Sequence, residues 1–421
     1  MLGHSRQILH VFQRSGNALK ASDVGPARRH IAHYWSNLKR FNPKQDATLI
    51  ALPKPYIVPA YEEGREFDFP EMYYWDTYFI AQGMLDLEHK ELVLGMLENL
   101  LFLFERFHII PNASRTYLMG RSQPPFLTSY IFDCYEHFGL KPKWLAAKMH
   151  VAREEYETVW LGAAKPHARR VYAGLSRYYD INQLHDLAEA ESGWDMTTRF
   201  GRHALNYLPV DLNSLLYKYE MDFANTARIL GDAHGEAAWH RLAEERKQTM
   251  NHLMWDRVQK TFCDYNYVKK TRSHVNSLAS YYTMWAGLAT DAQAAQLVKN
   301  LRRFEHKGGL AATELPNISH LPGTMPTQWA HPNGWAPLHY IVVQGLLRYG
   351  YEADARRIAM KWLRTNLDWY NHHGNFLEKY NVVQPTKPPV KGVYPTLIGF
   401  GWTNAVFERF CRDFIDSAKK N

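Results

Sequence analysis

The chain has 421 residues, of which 46% are hydrophobic and 14% aromatic, enough apolar material for a large buried core. Its formal net charge is +8, but Lys and Arg are spread along the chain among acids, which argues against a nucleic-acid partner. No uninterrupted apolar run reaches the ~18 residues that a membrane span needs, so no membrane partner is expected.

Cysteine usage and the N-terminus both indicate the cytoplasm. The three cysteines, Cys134, Cys263 and Cys411, are far apart and show no paired metal-ligand spacing, which is typical of a reducing compartment. The N-terminal residues include no apolar stretch long enough for a secretory signal. No linker or low-complexity tract divides the chain. We therefore expect one domain over residues 1–421, with 1–50 as an N-terminal helical extension, and a monomer.

Helical periodicity dominates the chain. Over residues 91–107, apolar residues recur at i+3 and i+4 spacing, which predicts an amphipathic helix. The next predicted helix, 212–230, ends at Gly231, and a turn over 231–235 leads into the one that follows. Further helices are predicted at 236–254, 277–288, 291–303, 337–348 and 352–367.

The connections between these helices are short, which brings neighbours together antiparallel. The clearest strand signal is the short segment 261–267, and no βαβ alternation is visible. A series of helical hairpins predicts an all-α fold, with an (α/α)6 toroid favoured. A helical solenoid is the rival geometry, but the sequence shows no sustained repeat of fixed length.

Six segments lack the amphipathic pattern and are instead dense in Trp, Tyr, Asn, Gln, Arg, Gly and acids. Aromatic faces stack on the apolar face of a pyranose, while amides, guanidinium groups and carboxylates bind its hydroxyls. That composition is typical of a sugar site. Each segment alone also has a structural explanation, and it is the occurrence of six together that favours a site. The segments are 71–79, 108–126, 191–200, 327–340, 375–381 and 399–407.

These segments carry motifs by which the chain resembles the trehalase family, glycoside hydrolases of an (α/α)6 toroid. The motifs are YYWD at 73–76, IPN at 110–112, RSQPP at 121–125, SGWD at 192–195, PNGWAP at 332–337, EKY at 378–380 and GFGWTN at 399–404. The resemblance runs from about residue 55 to 407 in the order of the family. It implies an inverting hydrolase that needs no metal or cofactor.

The resemblance also implies the roles of the site residues. Asp195 would be the general acid and Glu378 the general base that activates water, from opposite sides of the scissile bond. The alternatives are a helix N-cap for Asp195 and a surface ion pair with Lys379 for Glu378. The implied substrate-binding residues are Trp75, Asp76, Asn112, Arg121, Ser122, Gln123, the backbone of Gly193, Trp329, Trp335 and Trp402, with core packing as the alternative for the last three.

The departures from the family pattern are concentrated in a second polar set. Where the family has Arg, Glu, Gln, Asp and a second Asp, this chain has Asp68, Val393, Leu397, Ala330 and Asn381. An Arg-Pro-Glu loop expected before SGWD is also missing. Each lost charge-assisted hydrogen bond is worth about 1.5–3 kcal/mol. We therefore expect a family-like glucose subsite and a more apolar, more open leaving-group side.

The sequence thus predicts hydrolysis of α,α-trehalose or a closely related small α-glucoside. Two alternatives stay open: a hydrolase for another α-glucoside or α-mannoside with a different, possibly acidic aglycone, and a catalytically weak sugar-binding relative. Retention of both Asp195 and Glu378 argues against the second. A metal-dependent hydrolase is not expected, because the adjacent pair His372 and His373 lacks partners at ligand spacing.

Overall fold

The computed structural model describes residues 19–61, 69–315, 327–392 and 394–416. Within these ranges the chain is mostly helical. The α-helices are α1 Ala21–Leu38, α2 Tyr74–Gln82, α3 Lys90–Phe107, α4 Leu127–His137, α5 Pro142–Glu155, α6 His185–Glu191, α7 Val210–Leu230, α8 Ala233–Met254, α9 Tyr282–Trp285, α10 Asp291–Asn300, α11 Ala336–Arg348, α12 Glu352–His373 and α13 Gly401–Cys411.

The strands are short and form small antiparallel sheets in the connections. They are β1 Lys39–Arg40, β2 Tyr56–Ile57, β3 Arg170–Tyr172, β4 Leu175–Ser176, β5 Tyr207–Leu208, β6 Trp255–Asp256, β7 Thr261–Phe262, β8 Tyr265–Asn266, β9 Thr271–Arg272, β10 Glu305–His306, β11 Gly309–Leu310, β12 Asn333–Trp335 and β13 Lys379–Asn381. The β12–β13 pair aligns Trp335 with Lys379. The predicted strand 261–267 becomes β7 and β8, which belong to different sheets.

The helices form an (α/α)6 toroid, as predicted. Six inner helices, α2, α4, α7, α9, α11 and α13, follow one another around the ring, and α13 closes it by packing against α2. Tyr78 of α2 meets Tyr130 of α4 edge to face, with ring centroids 6.4 Å apart. The outer helices α1, α3, α5, α8, α10 and α12 cover this ring. One contiguous hydrophobic core runs from Val24 to Ile415.

Two inner helices explain why the segments 71–79 and 399–407 lack an amphipathic pattern. Every residue of α2 is buried, and α13 is buried except at Arg409. A helix buried on all sides has no polar face and therefore no 3.6-residue alternation to detect. The segments 71–79 and 399–407 thus contain helix starts that the sequence analysis did not predict.

The amphipathic helices are confirmed with small changes at their ends. Gly231 ends α7 with a left-handed φ of 77°, as predicted. The next helix, α8, begins three residues earlier than predicted, at Ala233, because the Asp232 carboxylate caps it by accepting the Gly235 N–H at 2.8 Å. The predicted helix 277–288 is shorter, since a 3-10 turn precedes α9.

The two mouths of the toroid differ in the helix ends that they present. The first turns of α2 and α13 carry Trp75 and Trp402 at one mouth. At the other mouth, a cavity of about 650 Å³ includes Arg228, Arg348 and Arg409, from the last turns of α7, α11 and α13. Cations at helix C-termini complement the helix dipole, so these arginines have a structural explanation. The positive ends of the inner helices therefore face the predicted sugar site.

The described part of the predicted N-terminal extension packs into the core. Helix α1 buries Val24, Ala27, Ile31 and Trp35 against α12 and α13. Residues 1–18 lie outside the described ranges, and the single-domain organisation stays a prediction. Across the described part of the chain, no helix combines the length and apolar character that crossing a bilayer requires.

Candidate active site

A cavity of about 190 Å³ opens at the mouth formed by the first turns of α2 and α13. It brings together residues from all six segments named above, although no residue of the motif at 332–337 lines it. The predicted site residues that line it are Trp75, Asp76, Asn112, Arg121, Gln123, Gly193, Asp195, Trp329, Glu378 and Trp402. It is also lined by Pro59, Phe69, Tyr73, Leu118, Ala190, Tyr394 and Phe400, which the sequence analysis did not name as site residues.

Three indole rings form an aromatic wall of this cavity. Trp329 lies 5.5 Å from Trp75 and 6.0 Å from Trp402, measured between ring centroids. Trp335 does not line the cavity; it stacks on Trp329 at 3.7 Å, with the two planes 5° apart. The fourth predicted tryptophan therefore supports the wall from behind.

Gly193 allows the aromatic wall to approach the loop that carries Asp195. Its φ of 74° lies in the left-handed region, and a Cβ at this position would stand 2.5 Å from Cζ2 of Trp75. Only glycine meets both conditions without strain or clash. This explains in steric terms the glycine of the SGWD motif.

The polar residues of the segments 110–112 and 121–123 hold one another in place. The Trp75 N–H donates to Oε1 of Gln123 at 3.0 Å, and Nδ2 of Asn112 donates to the carbonyl of Ser122 at 3.2 Å. Ser122 is fully buried, its hydroxyl donating to the carbonyl of Ile110 at 2.6 Å, and it does not line the cavity. Ser122 is therefore placed to shape the loop rather than to contact a ligand.

Arg121 lies in the cavity wall, where its NH1 has a hydrogen-bond acceptor and its Nε has none within the described part of the chain. Its NH1 donates to Oδ2 of Asp180 at 3.1 Å. Among the described residues, no acceptor faces its buried Nε. Its positive charge acts on Asp195, where it opposes the increase of the carboxyl pKa.

Asp195 has an environment that favours a protonated carboxyl. Burial raises its pKa to about 7, with a further contribution from the negative charge of Glu378. Its own backbone N–H, Lys379 and Arg121 act in the opposite direction. A carboxyl group with this pKa can deliver a proton near neutral pH.

Asp76 is a third carboxyl group in the same cavity. It lies in the first turn of α2, and burial raises its pKa well above the ordinary value. The charges of Glu378 and Asp195 add to this increase. Burial and these neighbouring charges therefore disfavour the ionised form of Asp76, and in either protonation state its carboxyl oxygens can accept a hydrogen bond from a sugar hydroxyl.

Glu378 is almost completely buried, and each carboxylate oxygen has a donor. Nζ of Lys379 lies 2.6 Å from Oε2, and the hydroxyl of Tyr394 donates to Oε1 at 2.8 Å. The ion pair between Glu378 and Lys379 thus exists, but both side chains are buried rather than at the surface. Lys379 also lies over the ring of Trp335, 5.0 Å from its centroid.

The residues that depart from the family pattern have varied positions. Ala330 and Leu397 are buried and do not line the cavity. Asn381 accepts the Gln384 N–H at 2.9 Å and shapes a turn. Asp68 and Val393 lie outside the described residues. Among the residues that the structure describes, the apolar lining of the cavity includes Pro59, Phe69, Leu118 and Phe400.

Two buried charges that the sequence analysis did not single out support the site. Glu191 accepts the N–H groups of Ser122 at 2.7 Å and Tyr179 at 2.6 Å, and it pairs with Arg169. Arg199 is fully buried between the carboxylates of Asp211 and Asp264. Both residues lie close to the SGWD motif within the segment 191–200. This position is the signal by which they could have been found from the sequence.

The described ranges contain no group of three or more His, Cys, Asp or Glu residues that could hold a metal ion. Of the adjacent histidines, Nδ1 of His372 lies 2.7 Å from the carbonyl of Asp368. His373 stacks on Trp369 with ring centroids 4.1 Å apart. Both rings thus have structural contacts on α12.

Fold and site together define an (α/α)6 toroid protein with a carboxyl-lined aromatic cavity at one mouth. A family model described as Trehalase matches residues 12–190 and 179–414. The chain belongs to the trehalase family.

Individual relatives agree with this assignment. The chain is 33% identical to the cytosolic neutral trehalase of Beauveria bassiana (strain ARSEF 2860), over 84% of this chain and 57% of that protein, so it spans little more than half of that relative. The solved neutral trehalase of Saccharomyces cerevisiae superposes with a TM-score of 0.76 at 30% identity, over 91% of this chain and 77% of that one. A mannosylglycerate hydrolase of Thermus thermophilus, solved with Tris and D-glycerate, shares the fold at 16% identity, with a TM-score of 0.67 over 91% of this chain and all of that one.

Proposed function

We propose that this chain is an inverting glycoside hydrolase that cleaves α,α-trehalose or a closely related small α-glucoside. The observation that carries the proposal is the contrast between two carboxyl groups of one cavity. Burial lets Asp195 keep its proton up to about pH 7, whereas Glu378 is paired with the buried ammonium group of Lys379. Two carboxyl groups with environments that differ in this way suit the acid and base roles of glycoside hydrolysis.

The reaction assigns one step to each carboxyl group. Asp195 gives its proton to the glycosidic oxygen while Glu378 takes a proton from water. The water oxygen bonds to the anomeric carbon from the opposite face as the bond to the leaving sugar breaks. Inversion then releases β-glucose from an α-linkage, and solvent exchange returns both carboxyl groups to their starting states. The mechanism needs roughly 6.5–9.5 Å between the two carboxyl groups, which leaves room for the water.

Trehalose is the first substrate to test because two relatives are named neutral trehalases. The polar lining residues Asp76, Arg121 and Gln123 offer hydrogen-bond groups suited to the hydroxyls of the glucose that is cleaved. Trp75 and Trp329 offer stacking faces for the pyranose.

A second candidate is an α-glucoside or α-mannoside with a different aglycone. The observation in its favour is the apolar lining by Pro59, Phe69, Leu118 and Phe400, which offers no side-chain hydrogen bonds to a second sugar. A site that buries polar hydroxyls without partners binds them poorly. On this candidate, trehalose has a high Michaelis constant and another aglycone is turned over better.

The experiment is sugar release from a panel of α-glucosides and α-mannosides that includes trehalose and mannosylglycerate, with proton NMR of the first product. We expect the β-anomer first, and we expect Asp195→Asn and Glu378→Gln each to reduce turnover at least ~1000-fold while sugar affinity stays within about tenfold. Glu189→Gln is the matched control, because Glu189 is buried near Asp195 but does not line the cavity. An α-anomer appearing first, or full turnover by the Glu378 variant, contradicts the assignment.

We also propose that the protein acts as a cytoplasmic monomer whose partner is a small sugar. The location rests on similarity to a protein described as cytosolic. Light scattering after gel filtration measures the oligomeric state, and fractionation of cells that produce the protein measures its location.

A further inference from the structure

A single buried amide lies between the segments that carry the two catalytic candidates. Nε2 of Gln328 donates to the backbone carbonyl of Asp195 at 2.6 Å and lies 3.3 Å from the hydroxyl of Tyr394. The Tyr394 hydroxyl in turn donates to Oε1 of Glu378 at 2.8 Å. Two amide hydrogens and one phenolic hydrogen therefore connect the backbone of the acid to the carboxylate of the base.

The direction of these hydrogen bonds is fixed by chemistry. An amide nitrogen only donates, so the oxygen of Tyr394 accepts from Gln328 and its single hydrogen is left for Glu378. Burial holds the pKa of Tyr394 well above its ordinary value, which keeps that hydrogen in place. Chains of this kind strengthen each bond through polarisation of its neighbours.

The side chain of Gln328 is restricted by its surroundings. It is fully buried, and its backbone carbonyl accepts from Nε1 of Trp335 at 3.0 Å and from Nδ2 of Asn333 at 3.0 Å. Gly392 packs closely against the other side of the amide. A Cβ at this position would stand 2.2 Å from Oε1 of Gln328. The amide therefore has little room to rotate.

We propose that Gln328 and Tyr394 are positioning residues that fix the placement of the general base Glu378 relative to the general acid Asp195. The inference rests on the proposed acid and base roles of these two residues. Neither Gln328 nor Tyr394 takes part in a proton transfer to substrate. Their role is to hold the Glu378 carboxylate in the orientation from which one free lone pair faces the attacking water, since small misplacements of reacting groups slow a reaction strongly.

The test compares Tyr394→Phe, Gln328→Met and the double variant with the unaltered chain. We expect each single change to lower kcat about 10–100-fold with KM within about threefold, because the groups act on the base and not on the sugar. If Gln328 acts through Tyr394, the double variant loses no more than the worse single variant. A product of the two single losses would show independent effects and overturn the proposal.

The pH profile separates positioning from mere packing. The groups that face Glu378 are Lys379, Tyr394, Asp195 and Asp76. Removal of the phenol leaves the carboxylate one donor short, so the acidic limb of kcat/KM is expected to move to higher pH. An unchanged limb together with kcat within twofold of the unaltered enzyme refutes the proposal.

A matched control exists at the far end of the inner helices. The hydroxyl of Tyr340 donates to Oε1 of Gln82 at 2.8 Å, and both residues are buried. Tyr340→Phe and Gln82→Met remove the same groups from a similar environment and are expected to change stability without moving kcat or the pH profile. If the control pair moves them equally, the effect at Gln328 and Tyr394 is structural.

A variant that keeps the phenol hydroxyl serves if Tyr394→Phe does not fold. 3-Fluorotyrosine at position 394 preserves shape and makes the phenol a stronger donor, so the acidic limb is expected to move to lower pH; no movement, or movement to higher pH, contradicts the inference. Asp195→Asn and Glu378→Gln are measured in parallel. If they abolish turnover while the Tyr394 and Gln328 variants are normal, the proposed function stands and this inference fails. If they keep turnover, the proposed function itself fails.

Discussion

Replacement of Asp195 by Asn is expected to remove turnover and, at alkaline pH, to stabilise the fold. The pKa of Asp195 is about 7 in the folded protein against an ordinary 3.8. A folded-state pKa above the unfolded value contributes stability that is fully present below about pH 4 and is lost as the pH rises through about 7. Above pH 7 the native protein therefore holds an unfavourable charged carboxylate that Asn does not carry.

The size of the effect follows from the pKa difference. Roughly three pKa units correspond to an upper limit of about 4 kcal/mol at high pH. Between pH 4.5 and pH 8 the relative gain of Asp195→Asn is expected to grow by about 3 kcal/mol. With an unfolding entropy of about 2.1 cal/mol/K per residue, this gain is about 3–4 °C in Tm for a chain of this length.

The assay is calorimetric or fluorescence melting of both proteins at pH 4.5 and pH 8. Asp256→Asn provides a control of opposite sign, because backbone N–H groups of Gln259 and Val258 lower the pKa of Asp256. That carboxylate contributes stability above its unfolded pKa, and the contribution is lost as the pH falls. A Tm gain for Asp195→Asn that is absent, or equal at both pH values, would refute the argument that Asp195 resists ionisation.

Three further predictions follow from the site. Arg199→Met leaves the buried carboxylates of Asp211 and Asp264 unpaired, so a loss of about 3–5 kcal/mol, seen as a Tm lower by several degrees, is expected; an unchanged Tm would contradict the buried triad. Gly193→Ala places a methyl group against Trp75 and is expected to lower kcat/KM at least tenfold; wild-type kinetics would show that the loop adapts freely. The kcat/KM of the native enzyme is expected to fall above about pH 7 as the acid loses its proton, and a flat profile up to pH 9 would exclude Asp195 as that acid.

The outer helices could be predicted from the sequence because their burial is one-sided. The helix predicted at 352–367 has apolar positions that face the ring and polar positions that face outward, and the structure extends it to His373. The inner helices α2 and α13 offered no such contrast, since both are buried on nearly every side. Whether these segments form helices depends on packing against neighbours around the whole ring, which a local pattern does not encode.

The residues of the cavity were predicted largely through motifs, and the residues that support them were not. Arg199 lies four residues after the SGWD motif, yet its partners Asp211 and Asp264 belong to α7 and to the loop after β7. Tyr394 and Phe400 line the cavity but gave no signal stronger than that of any buried aromatic residue. Which side of a buried ring faces the cavity is decided by packing from distant segments.

Glu378, the proposed base, illustrates this limit most clearly. Adjacent Glu378 and Lys379 form a typical surface ion pair when only the local sequence is considered, because charged neighbours are usually solvated. Pairing of β13 with β12 sets Lys379 against the indole of Trp335 and buries both charges. A buried carboxylate without a partner would be neutralised by a proton and could not accept one from water. The burial that raises the pKa of Asp195 therefore accompanies a buried ion pair at Glu378, because Lys379 is the next residue and the pairing of β13 with β12 holds it in place.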